Sequence, residues 1–212
     1  MAALGPIIVK LGGSLARERH FARWIEAVRQ YESGAIIVPG GGPFADCVRD
    51  AQRTMRFSDA AAHRMALLAM EQYAIACASS FPEMVLMSEE PQLRLIGRGR
   101  VAFWLPGRMA LGVDDLPENW QVTSDSLAAW LALRLEAPAL VIVKSIDVKT
   151  DRITPGPLVE REIVDPLFAR FAARTNAEIR LAGPADLAGA GAIFASGGLP
   201  GIRVGAHAGA HA

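Results

Sequence analysis

The chain has 212 residues, of which 51% are hydrophobic, so it is long enough for one substantial core and short for two independent domains. Its 22 basic and 22 acidic residues give a formal net charge of zero, which provides no electrostatic footprint for nucleic acid or a membrane surface and favours a small-molecule partner. We expect a cytoplasmic protein, because no apolar run is long enough to span a membrane, no leader pattern is present and the two cysteines form no disulfide framework.

Short apolar runs rich in β-branched residues alternate along the chain with segments of helical spacing. The predicted strands are Pro6–Val9, Ala35–Val38, Met84–Met87, Val101–Leu105, Leu140–Val143 and Ile179–Leu181. The predicted helices are His20–Tyr31, Pro43–Met55, Ser58–Ser79, Ser124–Leu135 and Val164–Thr175, with loops at Pro155–Pro157 and Gly183–Pro184. This alternation predicts βαβ units around a mostly parallel sheet, in one domain over residues 1–204. The low-complexity tail 205–212 is expected to be disordered.

A lysine and two glycines follow the first predicted strand, as Lys10, Gly12 and Gly13, with Ser14 next. Glycines let backbone N–H groups approach anionic oxygens, and a lysine adds a positive charge that can follow a moving phosphoryl group. The lysine precedes the glycines, so the motif is neither a dinucleotide fingerprint nor a P-loop. The pattern fits phosphate binding, and it also fits an ordinary tight turn with a surface lysine.

A second glycine cluster, Gly40, Gly41 and Gly42, follows the second predicted strand and directly precedes the helix Pro43–Met55. Three glycines cost conformational entropy on folding, so a plain connection would avoid them. The helix N-terminus supplies unpaired N–H groups and a positive dipole end. Because both glycine loops follow parallel strands, we expect them to bind two phosphates side by side. The alternative is a tight turn needed only for packing.

Polar side chains open the helix Ser124–Leu135, where Thr123, Ser124, Asp125 and Ser126 stand in sequence. Ser124 or Asp125 is expected to cap the free N–H groups of the first turn. Three oxygen-bearing side chains are more than a cap needs, so Asp125 is also a candidate for orienting a lysine at the phosphates.

A fourth polar segment follows the strand Leu140–Val143 and contains Lys144, Ser145, Asp147 and Val148. It is either a plain βα loop or a nucleotide contact at the same crevice. The histidines His20 and His63 fall in helical segments, where we expect structural roles.

These four segments occur in the order and spacing seen in the amino acid kinase superfamily, which the chain resembles from about Ile7 to Gly183. The motifs that carry the resemblance are VKLGGSL, VPGGGPFAD and WQVTSDSL. Together with HRMALLAM and LPGRMAL, they are most similar to the branch that phosphorylates (aminomethyl)furanylmethyl phosphate to its diphosphate in methanofuran biosynthesis. The resemblance implies a three-layer αβα sandwich of the carbamate kinase-like type with a mainly parallel central sheet. It also implies a homo-oligomer that uses ATP and Mg²⁺ to phosphorylate a phosphate monoester.

Carried over by position, the resemblance implies that Lys10 stabilises the transferring phosphoryl group and that Asp125 orients catalytic lysines. The residues implied to bind ATP are Gly12, Gly13, Ser14, Lys144, Ser145, Asp147 and Val148. The residues implied to bind the acceptor are Gly40, Gly41, Gly42, Phe44, Thr123 and Ser124. No protein ligand for the metal is expected, because nucleotide phosphates chelate Mg²⁺.

The chain departs from the superfamily pattern in three places. The nucleotide loop reads KSIDVKTD where relatives have TDVDGIYD, and LAG at Leu181–Gly183 replaces an ending in Asn-Gly. The segment Leu167–Asn176 lacks the second lysine that many relatives supply there, which leaves Arg170 or Arg174 as the substitute offered by the sequence. An arginine is not equivalent to a lysine, because its guanidinium is planar and fixed.

Two other interpretations therefore stay open. In the first, the chain is a non-catalytic relative that binds either the acceptor or a partner enzyme. In the second, it is a kinase for another phosphate monoester, such as a nucleoside monophosphate or an isoprenoid phosphate. The helix Ser58–Ser79, rich in Ala, Leu and Met, is equally compatible with a dimer face and with core packing.

Overall fold

A computed structural model describes residues 5–17, 20–148 and 153–205. Within these residues, seven strands form one sheet in the order β3-β4-β2-β1-β5-β6-β7. The strands are β1 Ile7–Leu11, β2 Ala35–Pro39, β3 Val85–Met87, β4 Val101–Trp104, β5 Ala139–Val143, β6 Glu178–Ala182 and β7 Ile202–Val204. All neighbouring pairs are parallel except β6 with β7. The six predicted strands are confirmed, whereas β7 was not predicted, because Arg203 stands between Ile202 and Val204 and interrupts the apolar run.

Helices connect the strands and flank the sheet. They are α1 His20–Val28, α2 Gly42–Met55, α3 Asp59–Ala78, α4 Glu90–Arg94, α5 Gly107–Ala110, α6 Ser124–Leu135, α7 Pro155–Glu160, α8 Phe168–Ala172 and α9 Leu187–Ala195, with 3-10 helices at Gly13–Arg17 and Pro184–Asp186. None of the helices in the described ranges is long and apolar enough to cross a membrane.

Two predictions for the C-terminal third are corrected. The segment Pro155–Pro157 is not a loop but the start of α7, because a proline in the first turn of a helix lacks only an N–H that needs no partner there. The predicted helix Val164–Thr175 is shorter, since α8 spans only Phe168–Ala172. The predicted tail lies outside the described residues except for Gly205.

The two faces of the sheet carry separate apolar clusters, because successive side chains of a strand point to opposite faces. In β1, Ile7, Val9 and Leu11 pack in the cluster that contains buried residues of α1 and α9. Ile8 packs on the other face, in the cluster that contains buried residues of α6 and α8. The arrangement confirms the predicted three-layer αβα fold with a mainly parallel sheet.

The same alternation places two lysines on one face. Lys10 stands two residues after Ile8, and Lys144 two residues after Ile142, and both isoleucines belong to the cluster on the α6 face. Strands β1 and β5 are parallel neighbours in which Lys10 pairs with Ile142. The backbone of Lys144 continues the sheet by donating from its N–H to the Ala182 carbonyl at 2.9 Å. Both lysines therefore lie at the carboxyl ends of their strands, on the face of the sheet that packs against α6.

Candidate functional site

The two glycine loops lie directly against each other at the carboxyl ends of β1 and β2. The Gly40 N–H donates to the Leu11 carbonyl at 2.8 Å. A Cβ at Gly40 would overlap the backbone of Gly13, and a Cβ at Gly13 would overlap the backbone of Gly42. Only glycine permits such a close approach of two chains. Packing alone thus requires Gly13 and Gly40, and it also brings the two candidate phosphate-binding loops together.

Helix α2 begins within the second glycine loop. Its N-cap is Gly41, which makes no side-chain capping hydrogen bond, and Pro43 occupies the first turn. Gly42 has a φ of +52°, a conformation that glycine adopts without strain. The positive end of the helix dipole is therefore directed at the junction of the two loops, where it favours an anion.

A buried carboxylate joins the two lysines. Asp125 Oδ1 lies 2.8 Å from Lys10 Nζ, and Asp125 Oδ2 accepts a hydrogen bond from Lys144 Nζ at 2.8 Å. The side chains of Lys10 and Asp125 are 5% and 6% exposed, and that of Lys144 is 16% exposed. Asp125 thus contacts two lysines, and its role in orienting them stays a prediction. Sequence reasoning placed Lys144 only in the nucleotide loop.

The environment of these charges shifts their pKa values. Burial lowers the pKa of Lys10 to about 8, although Asp125 opposes this shift, and the nearby Lys144 lowers it further. Burial alone would raise the pKa of Asp125, but the ammonium groups of Lys10 and Lys144 outweigh it and hold this pKa below its usual value. At neutral pH, Asp125 is ionised and Lys10 is mostly protonated.

A second buried carboxylate, Asp165, anchors the start of α6. It accepts hydrogen bonds from the Thr123 N–H at 2.8 Å, the Thr123 hydroxyl at 2.7 Å and the Ser126 N–H at 3.0 Å, and also from the Ser126 hydroxyl. It further accepts from the Phe168 N–H at 3.1 Å, so it joins the N-termini of α6 and α8. Burial raises the pKa of Asp165, and the charge of Asp125 adds to that shift.

The predicted capping of α6 by Ser124 or Asp125 is therefore wrong. The described hydrogen bonds at this terminus come to Asp165, which leaves the Asp125 carboxylate to the lysines. Sequence reasoning did not identify Asp165, which is distant in the chain. Its only local signal is an acidic residue shortly before a short apolar helix.

A cavity of about 490 Å³ opens beside the glycine loops, within the range of about 300–1,000 Å³ that is usual for small-molecule sites. Its walls come from the two loops, from α2 and α3, and from the segment that precedes α6. The lining residues are Gly13, Ser14, Gly40, Gly41, Gly42, Ala45, Asp46, Arg49, His63, Ala66, Leu67, Met70, Trp120, Val122, Thr123, Ser124 and Leu127. Of the predicted acceptor residues, Phe44 alone does not line it. Phe44 lies instead in a surface groove between α2 and α3.

Polar side chains that sequence reasoning did not assign to the site line this cavity, among them His63, for which a structural role was expected. The Arg49 guanidinium lies 4.7 Å from the centroid of the Trp120 ring and 3.2 Å from Asp46 Oδ1. Trp120 Nε1 donates to Gln52 Oε1 at 2.7 Å, which fixes the indole. His63 is 3% exposed, and burial lowers its pKa, so its ring is neutral at pH 7. Asp46, His63 and Trp120 lie within the VPGGGPFAD, HRMALLAM and WQVTSDSL stretches, which were the available signal, and Arg49 stands three residues after the first of them.

The predicted nucleotide loop contacts two other loops. Ser14 Oγ donates to Ser145 Oγ at 3.1 Å, which joins this loop to the first glycine loop. Asp147 Oδ1 accepts from the Ala185 N–H at 2.9 Å, and a Cβ at Gly183 would overlap this carboxylate, which explains a glycine at that position. Val148 is half-buried and packs against the core on the α6 face.

The two arginines offered as substitutes for a late lysine are directed elsewhere. Arg170 and Arg174 contact the Asp115 carboxylate at 2.9 and 3.2 Å, and both side chains are exposed. In the described part of the chain, the cations on Asp125 are Lys10 and Lys144. The sequence-based assignment of the substitute to Arg170 or Arg174 is not supported by these contacts.

Comparisons with known proteins concern the family and the fold. Residues 5–152 match the model of the amino acid kinase family. The chain is 28% identical, over 72% of its length and 71% of the relative's, to the [5-(aminomethyl)furan-3-yl]methyl phosphate kinase of Methanocaldococcus jannaschii. The uridylate kinase of Archaeoglobus fulgidus has a similar structure, with a TM-score of 0.68, 21% identity and coverage of 94% of this chain and 100% of that one. The UMP kinase of Bacillus anthracis has a TM-score of 0.67, 14% identity and 96% coverage of both chains.

Proposed function

This chain belongs to the amino acid kinase family of phosphotransferases, and we propose that it transfers the terminal phosphoryl group of ATP to the phosphate of a small phosphate monoester. One observation carries the proposal. Two lysines share the buried Asp125 carboxylate directly beside two glycine loops that pack backbone against backbone. A phosphate-to-phosphate transfer needs cationic groups and N–H donors concentrated at one point.

The acceptor that we propose is (aminomethyl)furanylmethyl phosphate, which would be converted to its diphosphate in the synthesis of a methanofuran-type one-carbon cofactor. The relative that is 28% identical is named for this substrate. The cavity offers a place for each part of it: Gly40–Gly42 for the phosphate, Leu67 and Met70 for the ring, and the Asp46 carboxylate for the amino group.

The residues present suit ATP. When bound, ATP supplies the phosphoryl group, and its phosphates chelate Mg²⁺. We assign the metal to the nucleotide phosphates. Gly12, Gly13 and Ser14 would hold phosphate oxygens, and the loop Ser145–Val148 would flank the nucleotide.

The chemistry that this site performs is positioning and charge neutralisation. A phosphate monoester is already ionised at neutral pH, so its oxygen attacks without a strong general base. Lys10 contributes positive charge where the transferred group passes, since its Nζ lies 3.3 Å from the position that a Cβ on Gly12 would occupy. Asp125 keeps Lys10 charged and oriented, and Asp165 holds the helix that carries Asp125.

The test is ADP release in the presence of ATP, Mg²⁺ and a panel of phosphate monoesters. We expect turnover that depends on (aminomethyl)furanylmethyl phosphate and exceeds that with nucleoside monophosphates and isoprenoid phosphates. Preference for one of the latter would change the acceptor and keep the kinase. A folded, nucleotide-binding protein that turns over no monoester would overturn the proposal.

A non-catalytic binding protein of the same pathway is the second candidate. The observation that favours it is the altered loop, in which one carboxylate oxygen of Asp147 accepts a hydrogen bond from the Ala185 N–H. Calorimetry separates the two candidates, because tight binding of the acceptor without measurable binding of ATP supports only the second.

We also propose that the protein is a cytoplasmic homo-oligomer, in keeping with its use of ATP. Phe44, Met65, Leu68 and Ile75 on α2 and α3 are 37%, 38%, 51% and 54% exposed, and three of them line one surface groove. A second copy would cover this face. Light scattering tests the assembly, and a monomer at micromolar concentration would refute it.

A further inference from the structure

Lysine is rare in this chain, and its placement is selective. Of the 22 basic residues, three are lysines, at positions 10, 144 and 149, and the other 19 are arginines. Two of these three lysines meet at Asp125. Elsewhere in the described residues the surface ion pairs use arginine, as in Arg98 with Glu32. Each of the two cationic positions at Asp125 thus holds a compact ammonium on a flexible stem. A planar guanidinium would direct its N–H donors along fixed directions.

The two ammonium groups are held on opposite oxygens of one carboxylate. Each contact is 2.8 Å long, and within the described residues Asp125 is the only ion partner that either lysine has. An ammonium has three N–H donors, so each lysine keeps donors for another ligand. Asp165, the other carboxylate nearby, is occupied by donors of Thr123, Ser126 and Phe168. The cluster therefore retains cationic donors that a bound anion would satisfy.

Lys10 borders the space between the glycine loops and the nucleotide loop, and Lys144 follows the strand end beside it and contacts the same carboxylate. A Cβ on Gly12 would lie 3.3 Å from Lys10 Nζ and 3.4 Å from the Val143 carbonyl oxygen, and the residue after Val143 is Lys144. The neighbouring residue Ser145 is joined to Ser14 of the first loop at 3.1 Å. Lys144 is the more accessible of the two lysines, at 16% exposure against 5% for Lys10. An anion in this space can reach both.

We infer that Lys144 is a second catalytic lysine, which binds oxygens of the transferring phosphoryl group together with Lys10, while Asp125 is the positioning residue that sets the two ammonium groups apart. The inference rests on the proposed function. In the step itself, a bond forms between an oxygen of the acceptor phosphate and the terminal phosphorus of ATP. The bond from that phosphorus to the bridging oxygen breaks, and the electron pair leaves with ADP. Neither lysine gains or loses a proton.

The experiment compares Lys144→Met and Lys144→Arg with the unchanged protein in the ADP-release assay. Arg98→Met is the matched control, because it also removes one positive charge but lies in an exposed ion pair with Glu32. We expect Lys144→Met to lower kcat by on the order of 100-fold or more, with a smaller change in the KM of the acceptor. Lys144→Arg should restore only part of the rate, because its guanidinium cannot take the same positions.

The outcomes separate the inference from the proposed function. If the unchanged protein is active and folded Lys144→Met keeps its kcat, the inference is wrong and the proposed kinase stands. A loss confined to thermal stability, with kcat intact in the Lys144→Arg variant, assigns Lys144 a structural role and also overturns the inference. If the unchanged protein turns over no phosphate monoester, both proposals fail.

Discussion

Turnover is expected to fall as Lys10 loses its proton. Burial, reinforced by Lys144 and opposed by Asp125, lowers the pKa of Lys10 to about 8. For a single group with that pKa, roughly 90% of the ammonium is charged at about pH 7 and roughly 10% at about pH 9. Because only the charged form stabilises the transferring group, kcat/KM, which reports the free enzyme, should fall about tenfold across this range.

The neighbours of Lys10 determine how variants move this profile. Asp125→Asn removes an attraction that raises the pKa of Lys10, so the fall in kcat/KM should move to lower pH. Lys144→Met removes a repulsion that lowers the pKa of Lys10, so the fall should move to higher pH. Two variants that both lose rate are thus expected to shift the profile in opposite directions.

The assay is ADP release with ATP and the acceptor both well below their KM values, so that the rate reports the free enzyme; it is measured from about pH 6.5 to about pH 10, and each curve is normalised to its maximum. Substrate phosphates, with a second pKa of about 6, stay ionised above about pH 7. The amino group of the acceptor titrates in the same way for every variant, so the displacement between the curves carries the test. Burial lowers the pKa of His63 and raises that of Tyr73, so burial moves both titrations away from the interval in which Lys10 loses its proton. A flat profile for the unchanged protein, or an Asp125→Asn curve displaced to higher pH, would refute the reasoning.

Three further predictions concern the frame of the site. Gly40→Ala should lower the free energy of unfolding by on the order of 3 kcal/mol in denaturant melts, because its Cβ meets the Gly13 backbone. The control Gly97→Ala, whose Cβ meets nothing within 4 Å, should change this free energy by less than about 0.5 kcal/mol. Equal effects of the two variants would contradict the packing of the loops. Asp165→Ala should lower the free energy of unfolding by on the order of 3 kcal/mol or more, and Asp165→Asn by less, because the alanine leaves buried donors at Thr123 and Ser126 unpaired. Denaturant melts unchanged by Asp165→Ala would show that these hydrogen bonds do not stabilise the fold. Arg49→Met, which removes the cation stacked on Trp120, should raise the KM of the acceptor about tenfold with little change in kcat. Arg53→Met, on the exposed face of the same helix, serves as the control. A KM unchanged by Arg49→Met would exclude Arg49 from the acceptor site.

The sequence predicted the central strands of the sheet well because these strands are buried on both faces. Such strands read as continuous apolar runs, and β1 and β5 are fully buried along their length. The prediction was weaker in the C-terminal third, where elements are short. Helix α7 begins with a proline that reads equally as a turn signal, and Arg203 interrupts the apolar run of β7.

The candidate site divides in the same way. Glycines and the lysine of the first loop stand next to each other in the chain, so local reasoning identified them. The contacts of Lys144 and Asp165 with the start of α6 depend on residues 19 and 39 positions apart, and no local pattern connects them. For the same reason, Arg170 and Arg174 looked available for the site although they pair with Asp115.

By itself, the sequence determined that apolar strands end in two glycine loops, one of them preceded by a lysine, and that a polar helix start follows later. Local chemistry is sufficient for this, because strand periodicity, glycine and helix-start signals are properties of short segments. Only the tertiary structure decided which charges meet. Parallel pairing of β1 with β5 and the two-residue alternation of side chains bring Lys10 and Lys144 to one face, and Asp165 caps α6 so that Asp125 is free to hold them both.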